Sequence, residues 1–128
     1  MAGPDVVYKI VTRAQWEVAE KAGIFEGAPV DLADGYIHFS TAAQVAETAA
    51  KHFAGQNDLL LVAVDPTALG TDLLFEPSRG GQLFPHLYAD LPLKAVRGVD
   101  PLPLGDDGRR QFPKGIVPTG RSGGPMTR

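Results

Sequence analysis

The chain has 128 residues, a net charge of −3 at pH 7 and no cysteine. Its length suits one domain with a buried core, and the lack of cysteine excludes disulfides and thiolate metal sites. No apolar run reaches the roughly 20 residues that span a bilayer, and the N-terminus lacks the basic and apolar regions of a secretion signal. We therefore expect a cytoplasmic protein without membrane contact, and the acidic balance argues against long nucleic acid as a partner.

The N-terminal segment predicts a strand followed by a helix. Residues 6–11, VVYKIV, are rich in β-branched side chains, which favour extended structure. Thr12 and Gln15 have the spacing of a capping box, so a helix is predicted to begin here. It is predicted to run to about residue 21 and to stop at Gly23.

A second helix is predicted after a connection. Residues 25–34 are expected to be irregular, because Gly27 and Pro29 interrupt regular structure. Residues 41–44 repeat the capping-box spacing, and apolar residues then recur at helical intervals up to Gly55. The N-terminal half is thus predicted to hold two helices.

The second half of the body is predicted to be mainly strand. Residues 59–64, LLLVAV, form a continuous apolar run typical of a buried central strand, and Pro66 ends it. Further strands are predicted at 73–76 and 93–99, with a loop over 77–85. The order β-α-β-α-β-β-β predicts an α+β fold with substantial antiparallel pairing.

The C-terminal segment differs in composition from the rest of the chain. From residue 105 onward it is rich in glycine, proline and arginine, with five basic and two acidic side chains. We predict a single domain over residues 1–104 and a tail over residues 105–128. A basic tail lies back on the acidic body, contacts a phosphate or stays solvated, and the solvated terminus is the simpler expectation.

Residues 34–41, DGYIHFST, place polar groups on one side of a predicted strand. Successive side chains of an extended chain point to opposite faces, so Tyr36, His38 and Ser40 share the face opposite the apolar residues. Histidine donates, accepts or titrates near neutral pH. A single histidine on a strand is more often a hydrogen-bonded structural residue, so a functional interpretation needs a second element.

The second polar segment is residues 76–88, EPSRGGQLFPHLY. If its end is extended, Phe84, His86 and Tyr88 share a face. Arg79 offers a planar fork of donors, and the adjacent Gly-Gly lets backbone N–H groups approach an anion, although an ordinary turn explains it equally well. The chain has no GxGxxG, GxxxxGK[ST] or GxSxG pattern, and two histidines without spaced carboxylates predict no metal site.

The segments DGYIHFST, LLLVAVDP and FEPSRGGQLFPHLYADLP, in this order, resemble the bacterial domain-of-unknown-function 952 family over roughly residues 8–99. That family resembles in fold the ADP-ribosyltransferases, in which a split, mainly antiparallel sheet holds NAD in its cleft. Among them, the tRNA 2′-phosphotransferases also carry a histidine on the first cleft strand. His38 matches that histidine.

The resemblance implies a set of cofactor-binding residues, with NAD as substrate or ligand. Tyr36 and Ser40 would line the nicotinamide ribose beside His38. Tyr88 or Phe84 would stack on the nicotinamide, and Arg79 would meet the pyrophosphate. These side chains predict a cleft for a small nucleotide-like ligand.

The resemblance also implies three catalytic candidates. His38 would bond a ribose hydroxyl of NAD. His86 would bond a ribose or move a proton. Glu76, the only glutamate of the matched segments, would stabilise the oxocarbenium-like transition state.

Three functions follow from these residues. The first is binding of NAD or an ADP-ribose derivative, with cleavage or transfer of its ribosyl group. The second uses His38 and His86 as an acid–base pair on a small phosphodiester, with Arg79 neutralising the phosphate. The third is a non-catalytic binding or interaction module, favoured by the lack of a securely matched catalytic acid.

Overall fold

A computed structural model describes residues 5–106 and 110–113 of the chain. Within them lie eight strands and three α-helices, and the described strand pairs are all antiparallel. Mixed α/β structure with antiparallel sheets and few helices is therefore confirmed. The strands form a three-stranded sheet, a two-stranded sheet and a second three-stranded sheet.

The first sheet has the order β1-β4-β8 and consists of β1 (Val7–Thr12), β4 (Leu59–Val64) and β8 (Val96–Pro101). The apolar run of β4 is explained by its place between two strands, with five of its six residues buried. The prediction of a buried central strand is confirmed. Both faces of the sheet are covered, because β1 and β4 contribute alternate side chains to two separate apolar clusters.

Helix α1 (Arg13–Ala22) begins at the predicted capping box. The Gln15 N–H donates to Thr12 Oγ1 at 3.0 Å, and the Thr12 N–H donates to Gln15 Oε1 at 2.9 Å. Gly23 ends the helix in the left-handed conformation, as predicted. The helix buries Trp16 and Ala19 in the apolar cluster that also holds Phe25.

The connection predicted over residues 25–34 is wrong, because these residues contain regular structure. Strand β2 (Ile24–Phe25) pairs with β7 (Leu91–Pro92), and helix α2 (Pro29–Asp34) follows. Pro29 occupies the first turn of α2, where proline costs no intrahelical hydrogen bond and presets the backbone angle. The N-terminal half therefore has three helices among the described residues instead of the predicted two.

The strand predicted from DGYIHFST is short. Strand β3 (Ile37–His38) covers only its centre, and Ser40 then pairs with Tyr8 of β1 through two backbone hydrogen bonds of 2.7 and 2.8 Å. This bridge joins β1 to the third sheet, whose order is β3-β6-β5. Strand β3 ends before Ser40, because Ser40 pairs with Tyr8 of β1, which belongs to a different sheet.

Helix α3 (Val45–His52) begins later than the predicted capping box. The Thr41 N–H does donate to Gln44 Oε1 at 3.0 Å, but Gln44 Nε2 also donates to the Leu83 carbonyl at 2.8 Å. Gln44 is therefore held by the neighbouring sheet, and the predicted first turn is a separate turn. The apolar side of α3 buries Val45 and Ala49, in agreement with the predicted stripe.

The third sheet and the last strand differ from prediction at their ends. Strand β5 (Leu73–Pro77) is confirmed, whereas β6 (Leu83–Leu87) begins inside the segment predicted as loop. Residues 93–99 are not one strand, because Leu93–Ala95 form a 3-10 turn. This turn separates β7, which pairs with β2, from β8, which pairs with β4 in a different sheet.

The predicted boundary after residue 104 stays a prediction. Within the described part of the tail, Arg110 contacts the body: its guanidinium donates to the carbonyls of Phe53, Gln56 and Leu102 at 2.8 to 2.9 Å. The start of the tail thus lies back on the body at this point. The other basic tail residues lie outside the described residues.

Candidate functional site

The two polar segments singled out in the sequence meet in space. Strands β3 and β6 pair so that His38 lies directly opposite His86. Residues opposite each other in an antiparallel pair project to the same face of the sheet. The two imidazole centroids are 5.6 Å apart, with the ring planes at 72°.

Tyr36 and Tyr88 complete a cluster of four rings with these histidines, which we call the ring cluster. The Tyr36 ring stacks on His86 at 4.2 Å and lies 4.7 Å from His38 and 5.1 Å from Tyr88. Stacked and tilted contacts at these distances stabilise aromatic pairs. The predicted face of Tyr36 and His38 is thus packed against the predicted face of His86 and Tyr88.

His38 is held between two carboxylates. Its Nδ1 lies 2.6 Å from Asp31 Oδ1, and its Nε2 lies 2.9 Å from Asp34 Oδ2. A neutral imidazole has only one N–H donor, so both contacts are hydrogen bonds at once only in the imidazolium form. Asp31 and Asp34 thus engage both ring nitrogens of His38.

Asp31 is the buried anchor of this arrangement, with 2% of its surface exposed. Its carboxylate also accepts from Lys9 Nζ at 2.9 to 3.0 Å, from the Ala28 N–H at 2.7 Å and from the His38 N–H at 3.1 Å. Burial alone would raise the pKa of Asp31, but the His38 hydrogen bond and the Lys9 charge outweigh it and lower the pKa to about 2. Burial also lowers the pKa of the Lys9 ammonium, which the charge of Asp31 opposes.

His86 is oriented by Glu76, which lies opposite Phe84 on the neighbouring strand β5. Glu76 Oε1 accepts from the Tyr88 hydroxyl and lies 2.7 Å from His86 Nδ1. The hydrogen bonds from Tyr88 and His86 lower the pKa of Glu76, and the bond to Glu76 raises the pKa of Tyr88 to about 12. With Nδ1–H directed at the carboxylate, Nε2 of a neutral His86 is the basic nitrogen.

One cavity of about 550 Å³ adjoins both histidines. This volume is in the range of small-molecule sites. Around its histidine end lie Asp34, Ser40 and Phe84, and the Ser40 hydroxyl is 2.8 Å from the Thr48 hydroxyl. The cavity extends along β1 to Thr12 and Gln15.

The other predicted site residues lie around this cavity in different ways. Tyr36 and Tyr88 line a second, smaller cavity of about 250 Å³. Glu76 contacts His86 and Tyr88 and lines neither cavity. The backbone of Arg79 lies in the turn between β5 and β6, and its side chain is outside the described part of the structure.

Sequence reasoning missed Lys9, Asp31 and Asp34. Pro29 at the first helical position and Asp31 in the first turn are signals of a helix start that were available in the sequence. Such a helix places Asp31 and Asp34 three residues apart on neighbouring positions of one face. Lys9 gave no signal of its own, since its partner is 22 residues away.

A metal cluster and a membrane-spanning helix are both absent from the part of the chain that the structure describes. No group of three or more histidine, cysteine or acidic side chains in residues 5–106 and 110–113 is arranged to hold a metal ion. None of the helices in those ranges is both long and apolar enough to cross a membrane.

The fold and the site together define a small α+β protein in which two histidine–carboxylate pairs adjoin one cavity. The chain belongs to the family described as protein of unknown function (DUF952), whose profile matches residues 10–99. The family predicted by resemblance is thus confirmed. No curated protein matches the sequence.

Solved structures of a Caulobacter crescentus protein, CC0527, are similar to this chain. Its crystal structure is 51% identical, with a TM-score of 0.79, covering 83% of this chain and 93% of that one. A crystal structure of its double mutant is 49% identical, with the same TM-score and coverage. Its solution NMR structure is 50% identical, with a TM-score of 0.76, covering 84% of this chain and 92% of that one.

Proposed function

We propose that this chain is a cytoplasmic protein with an ADP-ribosyltransferase-like fold that binds NAD or an ADP-ribose-like nucleotide in the 550 Å³ cavity. The observation that carries the proposal is the convergence of His38 and His86, each paired with a carboxylate, on that cavity. The antiparallel sheets joined at the Tyr8–Ser40 bridge support the fold assignment. A histidine on strand β3 matches the one expected on the first cleft strand.

The charges around the histidines favour ribosyl chemistry over phosphodiester cleavage. Three carboxylates, Asp31, Asp34 and Glu76, contact the two histidines. Of these, Asp34 lines the 550 Å³ cavity, where its negative charge would stabilise a positive ribosyl carbon. An acid–base pair acting on a phosphodiester would instead need a cation beside the histidines.

The proposed reaction divides its roles among Asp34, His86 and Ser40, which line the cavity, and Glu76, which contacts His86. The bond between the nicotinamide nitrogen and the ribosyl carbon breaks, and its electron pair leaves with the nicotinamide. Asp34, half exposed and fixed by His38, faces the positive charge that develops on the ribosyl carbon. The oxygen of a water molecule or of an acceptor hydroxyl forms the new bond to the ribosyl carbon. His86 Nε2 takes the proton of this oxygen, while Glu76 stabilises the resulting imidazolium. Ser40 lies beside the ribose.

Release of nicotinamide from NAD by the full chain tests the proposal. We expect slow release by the wild type, and a loss of about 100-fold or more in the rate for His86→Gln and Asp34→Asn. Asp58→Asn is the matched control, because Asp58 is exposed and asparagine tolerates its left-handed backbone. Its rate should equal that of the wild type.

The outcomes separate the three functions. Binding of NAD without release over many hours would leave a non-catalytic binding module. Hydrolysis of a cyclic nucleotide that depends on both His38 and His86, without NAD cleavage, would favour the phosphodiester reaction. Equal rates in the wild type, His86→Gln and Asp34→Asn would remove the assigned roles.

A further inference from the structure

The end of the 550 Å³ cavity remote from His38 and His86 carries residues that have no role in the proposed reaction. Along β1 the cavity is lined from Tyr8, which bridges to Ser40, to Thr12. Four residue steps of extended chain span about 13 Å. That is longer than a nucleoside, so the cavity has room at this end for a second part of a ligand whose ribosyl group lies at His38 and His86.

Gln15, Gln56 and Phe53 line the cavity here, together with His52, whose carbonyl accepts from Gln56. The half-buried Phe53 ring packs against the apolar cluster beneath it and leaves an apolar surface toward the cavity. Planar bases stack on such surfaces. Glutamine is the side chain that reads the adjacent donor and acceptor of an adenine edge.

The orientation of the Gln15 amide is fixed by its own helix. Gln15 Oε1 accepts the Thr12 N–H in the capping box, so its Nε2 is the group available as a donor to a ligand. Gln56 has the complementary arrangement, since its Nε2 is directed at the His52 carbonyl at 3.4 Å and its Oε1 remains as an acceptor. The two residues thus offer one donor and one acceptor.

Arg110 holds the turn that carries two of these residues. Its guanidinium donates to the carbonyls of Phe53 and Gln56, both at 2.8 Å. Three hydrogen bonds to backbone carbonyls, including the one to Leu102, use the fork geometry of the guanidinium. Arg110 is therefore a positioning residue for this end of the cavity.

We infer that the Gln15–Phe53–Gln56 end of the cavity is a base-binding subsite that selects adenine, an inference that rests on the proposed nucleotide function. Adenine presents a ring-nitrogen acceptor to the Gln15 donor and an amino donor to the Gln56 acceptor. Hypoxanthine presents a ring N–H and a carbonyl at the same positions and so reverses both groups. The subsite discriminates between the two bases for this reason.

Affinities of the full chain for four probes test the subsite: NAD, its hypoxanthine analogue, AMP and nicotinamide mononucleotide. By titration calorimetry the wild type should bind NAD about 100-fold more tightly than the hypoxanthine analogue, about tenfold for each of the two mismatched hydrogen bonds. Gln15→Glu keeps the capping acceptor, so α1 stays intact, but replaces the donor with an acceptor. In that variant the ratio should fall to one or below, because hypoxanthine N–H now has a partner.

Gln56→Ala should weaken NAD and AMP about tenfold and leave nicotinamide mononucleotide unchanged. Gln111→Ala is the matched control, because Gln111 is exposed and does not line the cavity. Equal affinities of the wild type for NAD and the hypoxanthine analogue would overturn the subsite, while nicotinamide mononucleotide binding would still support the proposed function. AMP binding that depends on Gln15, with no binding of nicotinamide mononucleotide, would support the subsite. It would contradict the proposed function at His38 and His86. No binding of any probe would overturn both.

Discussion

At the scale of single residues, Asp31 accepts from four donors although almost none of its surface is exposed. The donors are Lys9 Nζ, the Ala28 N–H, the His38 N–H and His38 Nδ1. Two of these donors are cationic when His38 is protonated. Asp31 thus compensates a buried lysine and orients a cavity residue with one carboxylate.

Replacing Asp31 should therefore affect stability strongly. Asp31→Asn leaves the buried Lys9 ammonium without an opposite charge, and breaking a buried pair costs about 3–5 kcal/mol. Asp34→Asn is the control, because Asp34 is half exposed and its pair with His38 is worth at most about 1 kcal/mol. Urea unfolding measures both. Equal losses in the free energy of unfolding of the two variants would show that Asp31 is not the buried anchor of Lys9 and His38.

The pKa of Asp31 also predicts a dependence of stability on pH. Its value is about 2 in the folded protein against the ordinary 3.8, so the folded state favours the ionised form. The corresponding stabilisation, about 2 kcal/mol, is fully present above pH 4 and is lost as the pH falls toward 2.

The difference in the free energy of unfolding between pH 5 and pH 2 measures this contribution. In Asp31→Asn, whose side chain does not titrate, the loss over that interval should be smaller by about 2 kcal/mol. The same pH dependence in both proteins would assign the acid sensitivity to other carboxylates.

Residue types alone identified the histidines but not their partners. His38 and His86 stood out because each has a tyrosine two residues away, and the structure brings all four rings together. Lys9 and Asp31 gave no comparable signal. Their role depends on burial and on a contact between β1 and α2 that no local pattern contains.

At the scale of elements, helix α2 sets the positions of both carboxylates that hold His38. The helix is six residues long, and Gly35 ends it with φ of +88°. The chain then enters β3 within two residues. A short helix, a left-handed glycine and a short strand together place Asp31 and Asp34 on either side of one imidazole.

The conformation of Gly35 gives a testable consequence. A Cβ at Gly35 meets no atom within 4 Å, so Gly35→Ala introduces backbone strain without a clash, worth about 1–2 kcal/mol. Gly98→Ala in β8 is the matched control: the added Cβ is equally free, and φ is not positive. Its stability should equal or slightly exceed that of the wild type. A loss in Gly98→Ala as large as in Gly35→Ala would contradict the strain argument.

Elements with strong local signals were predicted correctly, and those defined by tertiary pairing were not. The capping box of α1 and the apolar run of β4 are complete within a few residues. In contrast, β7 and β8 are separate only because they join different sheets, and a local alternation pattern does not specify a sheet. The prediction of α2 failed because Pro29 was interpreted as a helix breaker instead of a first-turn residue.

At the scale of the whole molecule, the cavity adjoins parts that are distant in sequence. The Tyr8–Ser40 bridge joins the two three-stranded sheets at its histidine end, and Arg110 fixes the turn at its other end. Each end thus depends on a contact between separate segments. Strand β1 lines the cavity between its two ends. We therefore expect ligand binding at one end to affect the residues of β1 as well.

The binding of NAD in the 550 Å³ cavity is tested by titrating the isotope-labelled chain with NAD and recording two-dimensional NMR spectra. We expect the chemical-shift changes to concentrate on His38, Ser40, Phe84 and His86, and the imidazole signals of His38 and His86 to move together. In His38→Ala the affinity should fall about tenfold or more, because Asp34 loses the imidazole that holds it at the cavity. No shifts at millimolar NAD, or shifts confined to the smaller cavity at Ala89 and Asp90, would contradict the proposed site.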